Sequence, residues 1–220
     1  MKDHPITTTV ASLVLVGSLT ALVLTLRGPS LRRDTGVQAE VGHALAREAV
    51  KHLGNGRRLT VLTRDTALFP QPAADQVLAG LTREVERAGI RVTEVQRFEV
   101  DPLRPTQVPP GDFAELIRRS GPGDVIVSLL GPPLLSDEQR AQLPPVPACR
   151  IVALCAGPVP DAAGLRQLAA QNLIHAAVAD RPQPNTAPPA SVRGRESFDQ
   201  RYTVFAFQPG TSAAMRGGSQ

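Results

Sequence analysis

Aromatic side chains are nearly missing from this sequence. Its 220 residues include no tryptophan, one tyrosine and six phenylalanines, so any core must be built mostly from Val, Leu, Ile and Ala. Cysteine is almost as rare. Cys149 and Cys155 fall in one apparent strand, where a rise of about 3.3 Å per residue sets them roughly 20 Å apart, beyond disulfide reach. Their spacing fits no zinc pattern, and both read as small buried apolar residues. Lysine is confined to Lys2 and Lys51. The net charge of +4 therefore rests on arginine, and the arginines are scattered among acids instead of forming one stripe. That distribution argues against nucleic acid as a partner. Catalytic motifs are missing too: there is no GxxxxGK[ST], no GxSxG and no HExxH. Gly54-x-Gly56 and Gly121-x-Gly123 each precede a strand, whereas a dinucleotide fingerprint follows one. His4, His43 and His52 are dispersed and form no metal cluster.

Charge is absent from Ile6 to Leu26, ITTTVASLVLVGSLTALVLTL. As a helix this stretch spans about 31 Å, the thickness of a bilayer's hydrocarbon core. A cleaved signal peptide is the competing reading. The stretch outruns an ordinary signal core, no Ala-x-Ala site follows it, and no cysteine stands after it to take a lipid. It is therefore read as an uncleaved transmembrane anchor behind a short tail, 1–5. Lys2 precedes it and Arg27, Arg32 and Arg33 follow. That bias favours a cytoplasmic domain, although domains of this size are often exported behind such an anchor.

Beyond the anchor, strand and helix patterns alternate around one stretch. Asp124 to Leu130, DVIVSLL, is an apolar, β-branched run bounded by Gly121-Pro122-Gly123 and Gly131-Pro132-Pro133. It reads as a strand buried on both faces, hence the middle of a parallel sheet. Before it come a helix over 34–54 with Val37, Val41, Leu45 and Ala49 at spacing four, a stalk or a packing helix. A strand at Arg58 to Thr63 and a helix at Asp75 to Ala88 follow. Ile90 to Val100 is a charged second strand and Pro110 to Ser120 a short helix. After it come a helical turn near Ser136 to Gln142, a strand at Arg150 to Ala156, a helix at Asp161 to Gln171 and a strand at Leu173 to Ala179. Such alternation over 57–181 implies right-handed βαβ units. The expected fold class is α/β: a mostly parallel five- or six-stranded sheet of order 2-1-3-4-5, preceded by one transmembrane helix. A Pro-rich linker is expected at 182–197, an aromatic strand at 198–208 and a disordered tail at 209–220.

In open α/β sheets a ligand sits beyond the carboxyl ends of the strands, where strand order reverses. The candidate crevice is therefore Thr63, Asp65 and Thr66 after the first strand, Gly131 and Pro132 after the third, Gly157 after the fourth and Asp180 after the fifth. Glycine admits close approach to the backbone; equally, Gly-Pro simply turns the chain out of the sheet. Thr63, Asp65 and Thr66 would stand together at the reversal. The Thr63–Thr66 loop lacks the glycine of a flavodoxin phosphate loop. A phospho-receiver would want an aspartate after the central strand and a lysine after the fifth, where the chain has Leu130-Gly131 and Asp180-Arg181. Cys149 and His175 lie near the starts of adjacent strands, but opposite the crevice and with no third group. They read as structural, and no catalytic residue is assigned.

The run GRRLTVLTRDTALFPQPAADQVLAGLTREVERAGIRVTEVQRF resembles the opening βαβ of a type-1 periplasmic-binding-like lobe, as in ABC-type substrate-binding proteins. There a strand leads to a loop and then to a helix that ends in a glycine before the second strand. The resemblance covers Arg57 to Arg181. It implies one flavodoxin-like or periplasmic-binding-like lobe where that family closes two on a ligand, so a second wall would have to come from another copy. The expected function is a membrane-anchored, non-enzymatic binding or interaction module. The alternative is a small-molecule or nucleotide-binding enzyme domain using the same loops. No cofactor and no metal is expected. The expected partners are the membrane, through 6–26, and a second copy or a membrane complex. The resemblance favours the extracytoplasmic side.

Overall fold

The computed structural model describes residues 35–55, 57–67, 69–99, 107–156, 160–181 and 195–207. All of them fall within one compact unit, 34–220. The expected anchor at 6–26, the tail 209–220 and Gly157 lie outside the described residues, as does most of the expected linker. Among the described residues no helix is long and apolar enough to cross a membrane.

The elements follow the expected alternation. They are α1 (Thr35–His52), β1 (Leu59–Arg64), α2 (Pro72–Arg87), β2 (Glu94–Phe98), α3 (Pro110–Arg119), β3 (Val125–Ser128), α4 (Asp137–Ala141), β4 (Arg150–Cys155), α5 (Ala162–Ala170), β5 (Ala176–Asp180), α6 (Arg195–Arg201) and β6 (Tyr202–Ala206). The sheet order is β2-β1-β3-β4-β5-β6. The first five strands are parallel, with Val61 beside Val127 and Ile126 beside Ile151. β6 joins β5 antiparallel, Val204 opposite Val178.

Burial on both faces holds β3 at the centre. Val125, Ile126, Val127 and Ser128 are all at most 1 % exposed. On one face Val61, Val127, Val152 and Val178 pack under Val41, Leu45, Leu81, Val85 and Phe198 of α1, α2 and α6. On the other, Leu62, Ile126 and Ile151 meet Phe113, Leu116 and Ile117 of α3, and Ala153 and Ala177 meet Leu165 of α5. Each fully buried aliphatic side chain contributes about 1.5–3 kcal/mol, so these two layers are the main source of stability. The Val37, Val41, Leu45 and Ala49 stripe is fully buried. α1 is thus a packing helix on the sheet and not a stalk.

Several boundaries differ from expectation, each for a local reason. β2 is shorter than Ile90–Val100: it pairs with β1 over Glu94–Phe98, and its charged residues Glu94 and Arg97 stay exposed at the sheet edge. β5 begins at Ala176 and not at Leu173, because Asn172 takes a left-handed φ of 56°. Its N–H bonds to Ala169 O and that of Leu173 to Leu168 O, which closes α5 in a Schellman turn. Gly89, at φ 74°, ends α2 the same way. The linker expected to run to 197 and the strand expected from 198 are corrected: Arg195–Arg201 is helical. A helical period places Ser197 and Phe198 inward and leaves Glu196, Asp199 and Gln200 in water, which strand alternation would not.

Candidate functional site

The reversal of chain direction lies between β1 and β3, as the topology demands. Asp65 leaves β1 with its N–H on Phe98 O at 2.8 Å, tying the loop to the end of β2. Its Oδ1 accepts from Ala67 N at 2.9 Å, an Asx turn. Thr66 Oγ1 donates to Asp75 Oδ1 at 3.3 Å, in the first turn of α2. Thr63 is buried beneath them. Across the crevice, Leu129 N donates to Leu62 O at 2.9 Å, and Ser128 Oγ accepts from Leu130 N at 3.3 Å. Gly131 has φ 95°, and a Cβ built there would meet nothing within 4 Å. Pro132 behind it is buried.

The structure therefore places Thr63, Asp65 and Thr66 at the end of β1 and Gly131 and Pro132 beyond the end of the adjacent strand β3. It does not bring Asp180 to them. β5 is three strands from β1, about 14 Å across the sheet at about 4.8 Å per strand. Asp180 instead stands beside β6, where Arg181 Nε donates to Tyr202 O at 2.9 Å. With Asp65 and Asp75 at one corner, the crevice offers carboxylate acceptors beside an open backbone. Such a surface suits a ligand rich in hydroxyl or amine donors.

Two other polar clusters lie away from it. At the amino end of the sheet, His175 is 3 % exposed. Its Nδ1 accepts from Ile151 N at 3.1 Å, and its Nε2 is 2.8 Å from Arg150 Nη1. His52 stands edge-on to it at 6.0 Å. Burial, then Arg150 and His52, push the His175 pKa down to about 4. Burial pushes the Cys149 thiol up to about 11 and that of Cys155 up to about 12. Thiols so far from ionisation are packing elements and not nucleophiles. Beneath β3, Asp124 accepts from Arg58 N at 3.0 Å, Gly121 N at 2.9 Å and Arg58 Nη2 at 3.0 Å. That network pins the segment before β1 to the loop before β3. Among the described residues, no group of His, Cys, Asp and Glu is placed to hold a metal ion.

Sequence reasoning missed two adjoining cavities, of about 610 Å³ and about 400 Å³, that share Arg140, Gln171 and Leu173. They lie beside α4 and not at the crevice. The sequence signal was the run of prolines around α4, which marks a crossover too irregular to fill its share of the sheet.

No family model and no curated protein matches the chain. Among solved structures it is similar to a sugar-binding protein of a sugar ABC transporter from Bacillus halodurans, at 15 % identity, over 77 % of this chain and 62 % of that one, with a TM-score of 0.48. It is also similar to a periplasmic ribose ABC transporter from Conexibacter woesei, at 13 % identity, over 64 % and 45 %, with a TM-score of 0.43. A probable transcription regulator from Thermus thermophilus shares 12 % identity over 66 % and 52 %, with a TM-score of 0.41. The chain spans about half the length of such structures. All three lie below a TM-score of 0.5, and the mostly parallel α/β sheet is read from the chain's own strand order.

Proposed function

We propose that this chain is a membrane-held, non-enzymatic binding module whose ligand enters the crevice between β1 and β3. The observation that carries the reading is the open backbone at Gly131, φ 95° with no atom within 4 Å of a built Cβ, beyond the strand next to the one that Asp65 and Thr66 follow. Asp65 is the acceptor for a ligand hydroxyl or amine, Thr66 and Asp75 brace that corner, and Thr63 and Pro132 close the floor. The domain stands on the extracytoplasmic side of the membrane, tethered through 6–26, and a second copy or a membrane complex supplies the facing wall.

Thermal denaturation of the full chain in lipid nanodiscs, against sugars, nucleotides and flavins, tests this. One compound class should raise the midpoint by several degrees, and Asp65→Ala should remove the shift. Stabilisation indifferent to Asp65, or none across the panel, contradicts the crevice assignment. Turnover of the stabilising compound would mark an enzyme instead. Carbonate extraction should leave the full chain in the membrane pellet and release a chain lacking 1–26. A phosphatase reporter fused after Gln220 should be active outside the cytoplasm; an inactive fusion places the domain inside.

A further inference from the structure

The crossover from β3 to β4 carries Pro132, Pro133, Pro144, Pro145 and Pro147, and its only helix, α4, has 5 residues. The capping box of Ser136 and Gln139 fixes where α4 starts, and Pro144 and Pro145, which lack a donor and clash with the preceding turn, keep it from running on. The neighbouring helices α3 and α5 have 10 and 9 residues. A short element between two longer ones leaves the sheet's cover incomplete. The gap is the pair of cavities already described, within the roughly 300–1,000 Å³ range of small-molecule sites.

The lining of this groove is asymmetric. Leu134, Leu135, Leu168 and Leu173 make an apolar wall, and Arg140 is the charged residue common to both cavities. Arg140 Nη1 donates to Gln171 Oε1 at 3.0 Å, which fixes the guanidinium across the groove. Its other partner, Asp137, is 87 % exposed and does not line the groove. A large apolar side chain is left in water on its wall, Leu134 at 41 % exposure, as at a surface that takes an apolar body. A held guanidinium at one point of an apolar wall is complementary to a planar anion with a hydrocarbon tail. We propose that the groove beside α4 binds a small amphipathic carboxylate, its head on Arg140 and its hydrocarbon body along Leu135, Leu168 and Leu173. The site opens on the helical face of the sheet and is separate from the crevice.

Methyl spectra of leucine-labelled full chain in nanodiscs, titrated with 3-phenylpropanoate and with the neutral 3-phenylpropanol against empty nanodiscs, test this. The acid should cause saturable shifts at Leu134, Leu168 and Leu173, none at Leu59 or Leu81 on the opposite face, and should bind more tightly than the alcohol. Arg140→Gln should weaken the acid about tenfold, the loss of a charge-assisted contact, and leave the alcohol unchanged. Leu134→Trp, which fills the groove from its rim, should abolish both. Equal affinity for acid and alcohol overturns the proposal, as do shifts confined to Leu130 at the crevice or no saturable shift at all. Should Arg140→Gln fail to fold, the acid–alcohol comparison on the unaltered chain decides alone.

Discussion

His175 sits where a charge would be expensive. Burial, Arg150 and His52 bring its pKa from 6.5 down to about 4. In the unfolded chain it regains the ordinary value. Between the two, the unfolded state takes up a proton that the folded state refuses, so acid favours unfolding. The stabilisation is whole above about pH 6.5 and fades as the pH falls toward 4, by roughly 3 kcal/mol at most. His52, also lowered, by burial first and then by Arg150, acts in the same direction. His175→Asn should flatten that part of a plot of urea midpoint against pH; an unaltered slope would show that the imidazole is not the group responsible. Asp124 works further into acid. Burial raises its pKa, but the N–H groups of Arg58 and Gly121 and the Arg58 guanidinium outweigh it and hold the carboxyl below 3.8. Its contribution is present above that value and is lost as the pH falls below it. The cysteines report the same burial chemically. With thiols near 11 and 12, iodoacetamide at pH 8 should leave both untouched in the folded chain and modify both in guanidinium, as read by mass spectrometry. Rapid labelling of Cys149 alone would revive it as a nucleophile beside His175.

Contact between α1 and α2 is set by two glycines. A Cβ on Gly42 would stand 2.1 Å from Val77 O, and one on Gly80 would stand 2.4 Å from Ala39 O. These are backbone atoms, so the helices would have to part. Gly42→Ala should therefore destabilise by about 1–3 kcal/mol or more, despite alanine's better helix propensity; a neutral or stabilising result in urea titration would mean that the helices slide freely. Asn172 is the corresponding point on α5. Asn172→Ala keeps the Cβ but loses the short polar side chain that eases a left-handed turn and should cost about 1 kcal/mol, whereas Asn172→Gly should be neutral or mildly stabilising. Elements of this kind were legible where a residue's periodicity and its burial coincide. DVIVSLL reads as a strand wet on neither side, which holds for Val125–Ser128 while Leu129 and Leu130 turn out of the sheet, and the Val37–Ala49 stripe reads as a stalk or a packing helix, between which its burial decides. RESFDQR was not legible. Its single large apolar residue, Phe198, gives no period to read, and its helix exists because the sheet offers that phenylalanine a place beside Val178 and Leu45.

At the scale of the whole molecule, strand order followed from alternation, but the groove beside α4 did not, since it is a void left between distant segments and no residue encodes it. The crevice stands between these cases. Its position follows from topology, while the local bonds of Asp65, Thr66 and Ser128 emerge only once the loops are placed. The last described elements then decide how the sheet ends. β5 is AAVAD, with Ala176, Ala177, Val178 and Ala179 all buried. As a terminal strand it would present an unguarded apolar edge, without the charges that protect β2. β6 pairs along its full length, and α6 delivers Phe198, 6 % exposed, to the core beneath α1. Covering an edge and filling a core position are different contributions and separate by mutation. Phe198→Ala leaves β6 in place and should lower stability by about 3–5 kcal/mol with no change of oligomeric state. Ending the chain before Arg195 removes both, and the bared strand should then drive aggregation visible by light scattering at temperatures where Phe198→Ala remains dispersed. If the shortened chain stays dispersed and as stable as Phe198→Ala, β5 needs no cover, and its burial must come from elsewhere in the chain.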